Sequence, residues 1–186
     1  MIFRNAEFSD WEAVARLHAS SWRSAYQGIL AQEFLDNFAE DDRRVVWRDR
    51  LSDPNSETRL VRVAVGGTTI AGFVCVFLDH DERWGALLDN VHVRPDLKGR
   101  GVGRQLMAQA ASWVIDRRPA SSLHLWVFED NHSARAFYER FGGTSVERSV
   151  HHAADGNGVP AICYVWEDLT KLVKELCARP PRGLPP

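Results

Sequence analysis

The chain has 186 residues, 45% hydrophobic and 26% charged, which matches one globular domain with its own core and excludes a disordered chain. A net charge of −2, from 23 basic and 25 acidic residues, gives no general attraction to nucleic acid or to an anionic membrane, so any polyanion must be handled locally. No apolar run approaches the roughly 20 residues that cross a bilayer, residues 1–7 lack the features of a signal peptide, and Cys75, Cys163 and Cys177 show neither metal-ligand spacing nor a disulfide framework, so a reducing cytoplasm is expected.

Residues 2–7 read as a short strand, and Ser9-Asp10-Trp11-Glu12 reads as a capping box that opens a helix with Val14, Leu17 and His18 on its apolar side. A second helical piece covers about 31–38. A third starts at Glu40-Asp41-Asp42 and turns basic by Arg48 and Arg50, matching the helix dipole. Arg59 to Val65 alternates, with Val61, Val63 and Val65 on one face; Gly66-Gly67 is a hairpin turn, and Thr68 to Leu78 returns antiparallel. Asp79 to Trp84 reads as a polar loop. Ala86 to Val93 is a fourth strand, stopped by Pro95. A helix over 102–116 turns Val102, Leu106, Ala110, Trp113 and Val114 inward. Leu123 to Phe128 is a strand. Asn131 or Ser133 caps a short helix carrying Ala134, Phe137, Tyr138 and Phe141, ended by Gly142-Gly143. Residues 144–152 and 161–167 form a last hairpin around Asp155-Gly156-Asn157-Gly158, and a helix near 169–177 closes a single domain over 1–177. The proline-rich residues 178–186 are expected to be a flexible tail. The order, a three-strand meander followed by strand–helix–strand units, predicts a mixed sheet covered by helices, an α/β architecture.

The segment Lys98-Gly99-Arg100-Gly101-Val102-Gly103-Arg104 joins the fourth strand to a helix. Alternating glycines at a helix N-terminus present bare backbone N–H groups, which is an anion site. Gly103 is followed by Arg104-Gln105, so a Walker A loop is excluded. Neither Gly99-x-Gly101-x-x-Arg104 nor Gly101-x-Gly103-x-x-Leu106 satisfies the dinucleotide fingerprint. The loop resembles the pyrophosphate loop of the GNAT superfamily of N-acetyltransferases, which reads Gln/Arg-x-x-Gly-x-Gly/Ala. Asn131-His132-Ser133-Ala134-Arg135-Ala136-Phe137-Tyr138-Glu139-Arg140-Phe141-Gly142 resembles that family's second signature, Asn-x-x-Ala-x-x-Phe-Tyr-x-x-x-Gly. The pair of motifs, in this order, covers the chain from about Ile2 to Trp166 and is specific where either alone is weak.

The resemblance implies a GNAT fold with about seven strands, a splay between strands 4 and 5, and helices on both faces. It implies acetyl-CoA as cosubstrate, no metal, and direct attack by a primary amine in a ternary complex. The acceptor is a small-molecule or peptide amine, with no nucleic-acid or membrane partner; homodimers are common in the family. The implied cofactor-binding residues are Val91, His92, Val93, Lys98, Gly99, Arg100, Gly101, Val102, Gly103, Arg104, Asn131, Ala134, Phe137 and Tyr138. Tyr138 is the implied general acid, protonating the departing thiolate; by spacing alone it reads as a core aromatic. Two positions depart from the family pattern: Lys98 replaces Gln or Arg, and Leu87 occupies a position where many members carry a catalytic Glu. Asp89 faces the same way as Leu87 in an unbroken strand and is the first candidate base, with Glu82, Asp81 and His92 as alternatives. Trp22 and Tyr26 are candidate acceptor-binding residues; Trp84, His151 and His152 are further candidates. The competing reading is an acyl-CoA-binding regulatory module without turnover.

Overall fold

The computed structural model describes residues 1–53 and 56–178. Its strands are β1 (Ile2–Asn5), β2 (Arg59–Gly66), β3 (Thr69–Asp81), β4 (Gly85–Val93), β5 (Leu123–Phe128), β6 (Thr144–His152) and β7 (Gly158–Trp166). They form one sheet in the order β1-β2-β3-β4-β5-β7-β6. Every neighbouring pair is antiparallel except β4–β5. The helices are α1 (Trp11–Ala25), α2 (Gln32–Asn37), α3 (Ala39–Ser52), α4 (Val102–Arg117), α5 (His132–Arg140) and α6 (Leu169–Ala178).

Strand alternation sends β2 and β3 side chains to two cores. Val61, Val63, Phe73 and Cys75 meet Val14, Leu17, Trp47 and Leu51 of α1 and α3. Leu60, Ala64, Val74 and Val76 meet Leu106, Ala110 and Val114 of α4, with Leu172 and Leu176 of α6. Helices therefore cover both faces, and the sheet is the α/β architecture expected from the element order.

Three local features differ from the sequence expectation. Ser9 lies inside a 3-10 turn at Phe8–Asp10, and α1 starts after it. Asp10 is the polar anchor instead: its carboxylate accepts from the Glu7 N–H at 2.8 Å and from both Arg4 Nη atoms at 2.6 and 2.9 Å. β3 continues to Asp81, so residues 79–81 are strand rather than loop. The Asp81 carboxylate then accepts from the N–H groups of Arg83 and Trp84, both at 2.7 Å, and folds a tight turn there. In the last hairpin β7 begins at Gly158, three residues earlier than the alternation indicated. Residues 179–186, the bulk of the expected tail, lie outside the described residues.

The site is placed by one topological fact. β4 and β5 pair only through Ala86↔Leu123 and Leu87↔His124. Beyond Leu87, β4 stays on β3, while β5 pairs with β7 along its whole length. The two strands separate into a wedge at their C-terminal ends, where an open α/β sheet holds its ligand.

Candidate active site

The wedge opens into a cavity of about 720 Å³ bounded by β4, β5, the glycine loop, α5 and the end of α1. A register shift shapes its β4 wall. Cys75 pairs with Asn90 and Val76 with Leu88, leaving Asp89 as an extra, unpaired residue: a β-bulge. The bulge reverses the facing of everything after it. Ala86 and Leu88 face the α4 core before it, and Val91 and Val93 pack on that same core after it. Asn90 and His92 consequently face the α1 and α3 side.

The phosphate end of the cavity is built from backbone. Gly99 and Gly101 have φ of +79° and +84°, a left-handed conformation that favours glycine. Gly101 is the N-cap of α4, and the N–H of Gln105 closes the first turn onto its carbonyl at 3.0 Å. The N–H groups of Val102, Gly103 and Arg104 are left without an intrahelical partner. A Cβ on Gly103 would sit 3.3 Å from Val93 Cγ2, so a small residue lets the loop close onto β4. Lys98 and Arg104 also line this end. The Arg104 Nε and Nη1 atoms are buried and hydrogen-bond to nothing among the described residues. Orphaned guanidinium donors beside free helix N-terminal N–H groups fit a phosphate-bearing ligand. Arg100 is exposed on the outer side of the loop and does not line the cavity.

α5 supplies the opposite wall. Asn131 is its N-cap, its side-chain oxygen accepting from the Ala134 N–H at 3.2 Å. This resolves the choice between Asn131 and Ser133. Asn131, Ala134, Phe137 and Tyr138 all line the cavity. The Tyr138 ring packs edge-on against Phe137 and Trp166, with centroids 5.5 and 5.9 Å away. Its hydroxyl has no hydrogen-bond partner among the described residues. Burial, reinforced by the nearby Tyr26, pushes its pKa well above the ordinary tyrosine value. Tyr26, also on the cavity wall, is pushed up to about 12 by burial.

On the α1 side of β4 lies an imidazole pair, His18 fully buried and His92 half-buried on the cavity wall. Trp47 Nε1–H donates to His18 Nδ1 at 2.9 Å, which leaves the His18 proton on Nε2. The His18 and His92 rings stand 4.3 Å apart, and His92 Nδ1 is hydrogen-bonded to Ser21 Oγ at 2.8 Å. Burial, with the charges of Lys98 and Arg43, lowers the His92 pKa to about 3. His92 is therefore neutral at any physiological pH and a poor proton acceptor.

Asp89 projects to the α3 side, where Arg50 Nη1 donates to its Oδ2 at 2.5 Å and to Asn90 Oδ1 at 3.0 Å. Asp89 Oδ1 keeps no partner among the described residues. Asp89, Asn90 and Trp126 are shared with a second cavity of about 390 Å³, lined also by Trp22, Arg43, Arg50, Phe128, His151 and His152. It lies between α1–α3 and the β6–β7 hairpin, whose turn is tied to α2 by Asp155 Oδ2 accepting from the Ala31 N–H at 2.8 Å. Trp22 and Tyr26, the two candidate acceptor residues, thus sit on different cavities. Asp81 ends β3, Glu82 and Trp84 lie in the turn after it, and none of the three lines either cavity. Arg43, Arg50, Asn90 and Trp126 carried no sequence signal for the site; the rising basicity along α3 was the only trace.

A wedge in a mixed sheet, with a phosphate cradle at one end and a buried tyrosine along one wall, suits an elongated ligand with a phosphate at one end. Residues 11–143 match the model of the acetyltransferase (GNAT) family, and the chain belongs to that family. It is 24% identical over 169 residues to the uncharacterized N-acetyltransferase YuaI of Bacillus subtilis, covering 91% of this chain and 94% of the relative. It is 28% identical over 142 residues to the probable N-acetyltransferase Rv2775 of Mycobacterium tuberculosis, covering 74% and 76%. Its fold is that of the PaiA N-acetyltransferase of Thermoplasma acidophilum, solved in complex with coenzyme A (TM-score 0.67, 17% identity, 86% of this chain and 96% of that one). A GCN5-related N-acetyltransferase from Rhodopseudomonas palustris superposes similarly (TM-score 0.69, 19% identity, 89% and 94%). Family membership supports acyl transfer from a coenzyme A thioester to an amine. Among the described residues, no helix is long and apolar enough to cross a membrane.

Proposed function

We propose that the protein transfers the acetyl group of acetyl-CoA to a primary amine by direct attack in a ternary complex. The observation that carries this is the convergence on one cavity of a phosphate cradle, an unpartnered tyrosine hydroxyl and a carboxylate oxygen. The cosubstrate supplies an activated acetyl thioester. The N–H groups at the start of α4, with Lys98 and Arg104, hold its pyrophosphate. The β4 backbone at Val91 and Val93 aligns the pantetheine arm, and an N–H near Val91 faces the developing oxyanion. Asp89 Oδ1, at the mouth of the second cavity, takes the proton that the amine must lose before it attacks. Tyr138 returns a proton to the departing sulfur. Its raised pKa keeps it protonated at neutral pH, and the same burial raises the affinity of the leaving thiolate for that proton.

Free coenzyme A release across an amine panel tests this with wild type and Tyr138→Phe. The expected result is turnover by the wild type and a kcat lowered about 100-fold in the variant, the lower range for loss of a general acid. The dissociation constant for acetyl-CoA should stay within about twofold, since only a hydroxyl is removed. An unchanged kcat would remove Tyr138 from proton transfer. Tight acetyl-CoA binding with no turnover on any amine would make the protein a binding module instead.

A further inference from the structure

The second cavity supports a substrate class. It shares Asp89, Asn90 and Trp126 with the acetyl-transfer cleft, so whatever fills it has one end at the reacting centre. Its polar lining is biased. Arg43 and Arg50 both face it, and the one carboxylate on its wall among the described residues, Asp89, is already engaged by Arg50 at 2.5 Å. Arg43 lies over the Trp22 ring, its guanidinium carbon 4.3 Å from the centroid. Its side chain is only 12% exposed. Asp42, which does not line the cavity, holds Arg43 Nε and Nη2, and no described residue pairs with Nη1. Burial lowers the Arg43 pKa despite the opposing ion pair with Asp42, and the charge of Arg50 adds to the lowering. A cation so placed is stabilised by an incoming anion. Asp42 holds Arg43 and Asp89 holds Arg50, so among the described residues the wall offers an acceptor only the Asp89 Oδ1 atom as a free carboxylate oxygen, which suits one amine and not a polycation. The rest of the wall is mixed: Trp22, Leu30, Trp126 and Phe128 give it an aromatic and apolar side, Asn90, His151 and His152 a polar one, and a volume of about 390 Å³ suits a small molecule.

We propose that the second cavity is the acceptor site and that the acceptor is a free α-amino acid with an apolar or aromatic side chain. Its carboxylate docks on Arg43, its side chain lies among the indole and phenyl rings, and its amine is presented at Asp89. This rests on the acetyl-transfer reading of the larger cleft. Asp89 takes one proton from the ammonium before attack. Attack then forms the amide C–N bond and breaks the thioester C–S bond, the departing sulfur takes a proton from Tyr138, and the second nitrogen proton makes good that loss. Acetyl-CoA is therefore the only co-reactant, and one proton is released to water from Asp89.

Leucine, methionine, phenylalanine and tryptophan are assayed with acetyl-CoA against 3-methylbutylamine, 3-(methylthio)propylamine, phenethylamine and tryptamine, their counterparts without the carboxylate. The ratio of kcat/KM within each pair is read in wild type and in Arg43→Gln. A loss of folded protein lowers both members of a pair alike and leaves the ratio unchanged. The expected wild-type ratio favours the amino acid at least tenfold in one or more pairs, and Arg43→Gln lowers it at least tenfold. Ratios of one or below in all four pairs, or a ratio the variant does not move, overturn the proposal. If none of the eight turns over, calorimetry with the same compounds on the coenzyme A-saturated protein decides. Amino-acid binding that Arg43→Gln abolishes upholds the acceptor class and refutes the transfer chemistry, whereas no amino-acid binding overturns the acceptor class. Failure of the transfer reading itself is seen separately, as acetyl-CoA bound without turnover.

Discussion

Replacing Arg104 with Met separates the cost of an orphaned cation from the gain of a bound phosphate. Without ligand, the Arg104 Nε and Nη1 atoms are buried and unpartnered. Each buried unsatisfied donor costs about 1–3 kcal/mol. Met keeps most of the aliphatic stem and removes both donors, so the free protein should hold or raise its melting temperature. Bound phosphate reverses the balance. Two hydrogen bonds to a charged group contribute roughly 3–6 kcal/mol together. Solvation of the guanidinium in the absence of ligand offsets about half, leaving about 1.5–3 kcal/mol, or roughly 10- to 150-fold in affinity. Titration calorimetry with coenzyme A and with pantetheine, which lacks the pyrophosphate, reads the difference. The expected result is weaker coenzyme A binding, unchanged pantetheine binding and no loss of stability. Unchanged coenzyme A affinity, or an equal loss for pantetheine, would refute the placement of Arg104 on phosphate.

Gly101→Ala forces a Cβ into φ +84°, at a cost of about 1–2 kcal/mol; differential scanning calorimetry should show a melting temperature lower by about 2–8 °C, and an unchanged value would mean that the loop adopts another conformation. Asp89→Asn removes the carboxylate proton acceptor, so kcat should fall about 100-fold; an unchanged rate would exclude Asp89 as base. His92 has a folded-state pKa near 3 against 6.5 unfolded, so the unfolded chain binds the proton first as pH falls. Its stabilisation is complete above pH 6.5 and is lost from there down toward pH 3, amounting to about 2 kcal/mol by pH 5. Urea unfolding at pH 7 and pH 5 should therefore show a smaller acid loss in His92→Gln than in wild type, and equal losses would show that His92 is not held neutral by burial.

The two ends of the site were unequally legible, and the reason is the sequence separation of their contacts. The donor end comes from contiguous pieces. A strand, three alternating glycines and a helix start occupy 85–104, and a capped helix occupies 131–141, so local chemistry states most of what the fold does with them. Even there, the orphaned Arg104 nitrogens follow from packing and not from any local pattern. Asp89 marks the boundary. Its assignment from strand alternation assumes an unbroken period of two, and the bulge that leaves it unpaired is set by the register of β4 against β3. The facing came out on the expected side, but Asn90 and His92 join it there only because the bulge reverses the phase. The proposed acceptor end is made from distant segments. Arg50 meets Asp89 across 39 positions, and Asp155 of the last turn meets Ala31 across 124. α3 reads locally as a solvated helix whose basic C-terminal half complements its dipole, and that reading is correct for Arg48, which is exposed. The same stretch sends Arg43 and Arg50 onto Trp22 and Trp47, where burial turns ordinary surface cations into the wall of a cavity. Donor recognition can therefore be read from contiguous motifs, whereas acceptor choice depends on which face of α3 the tertiary packing buries.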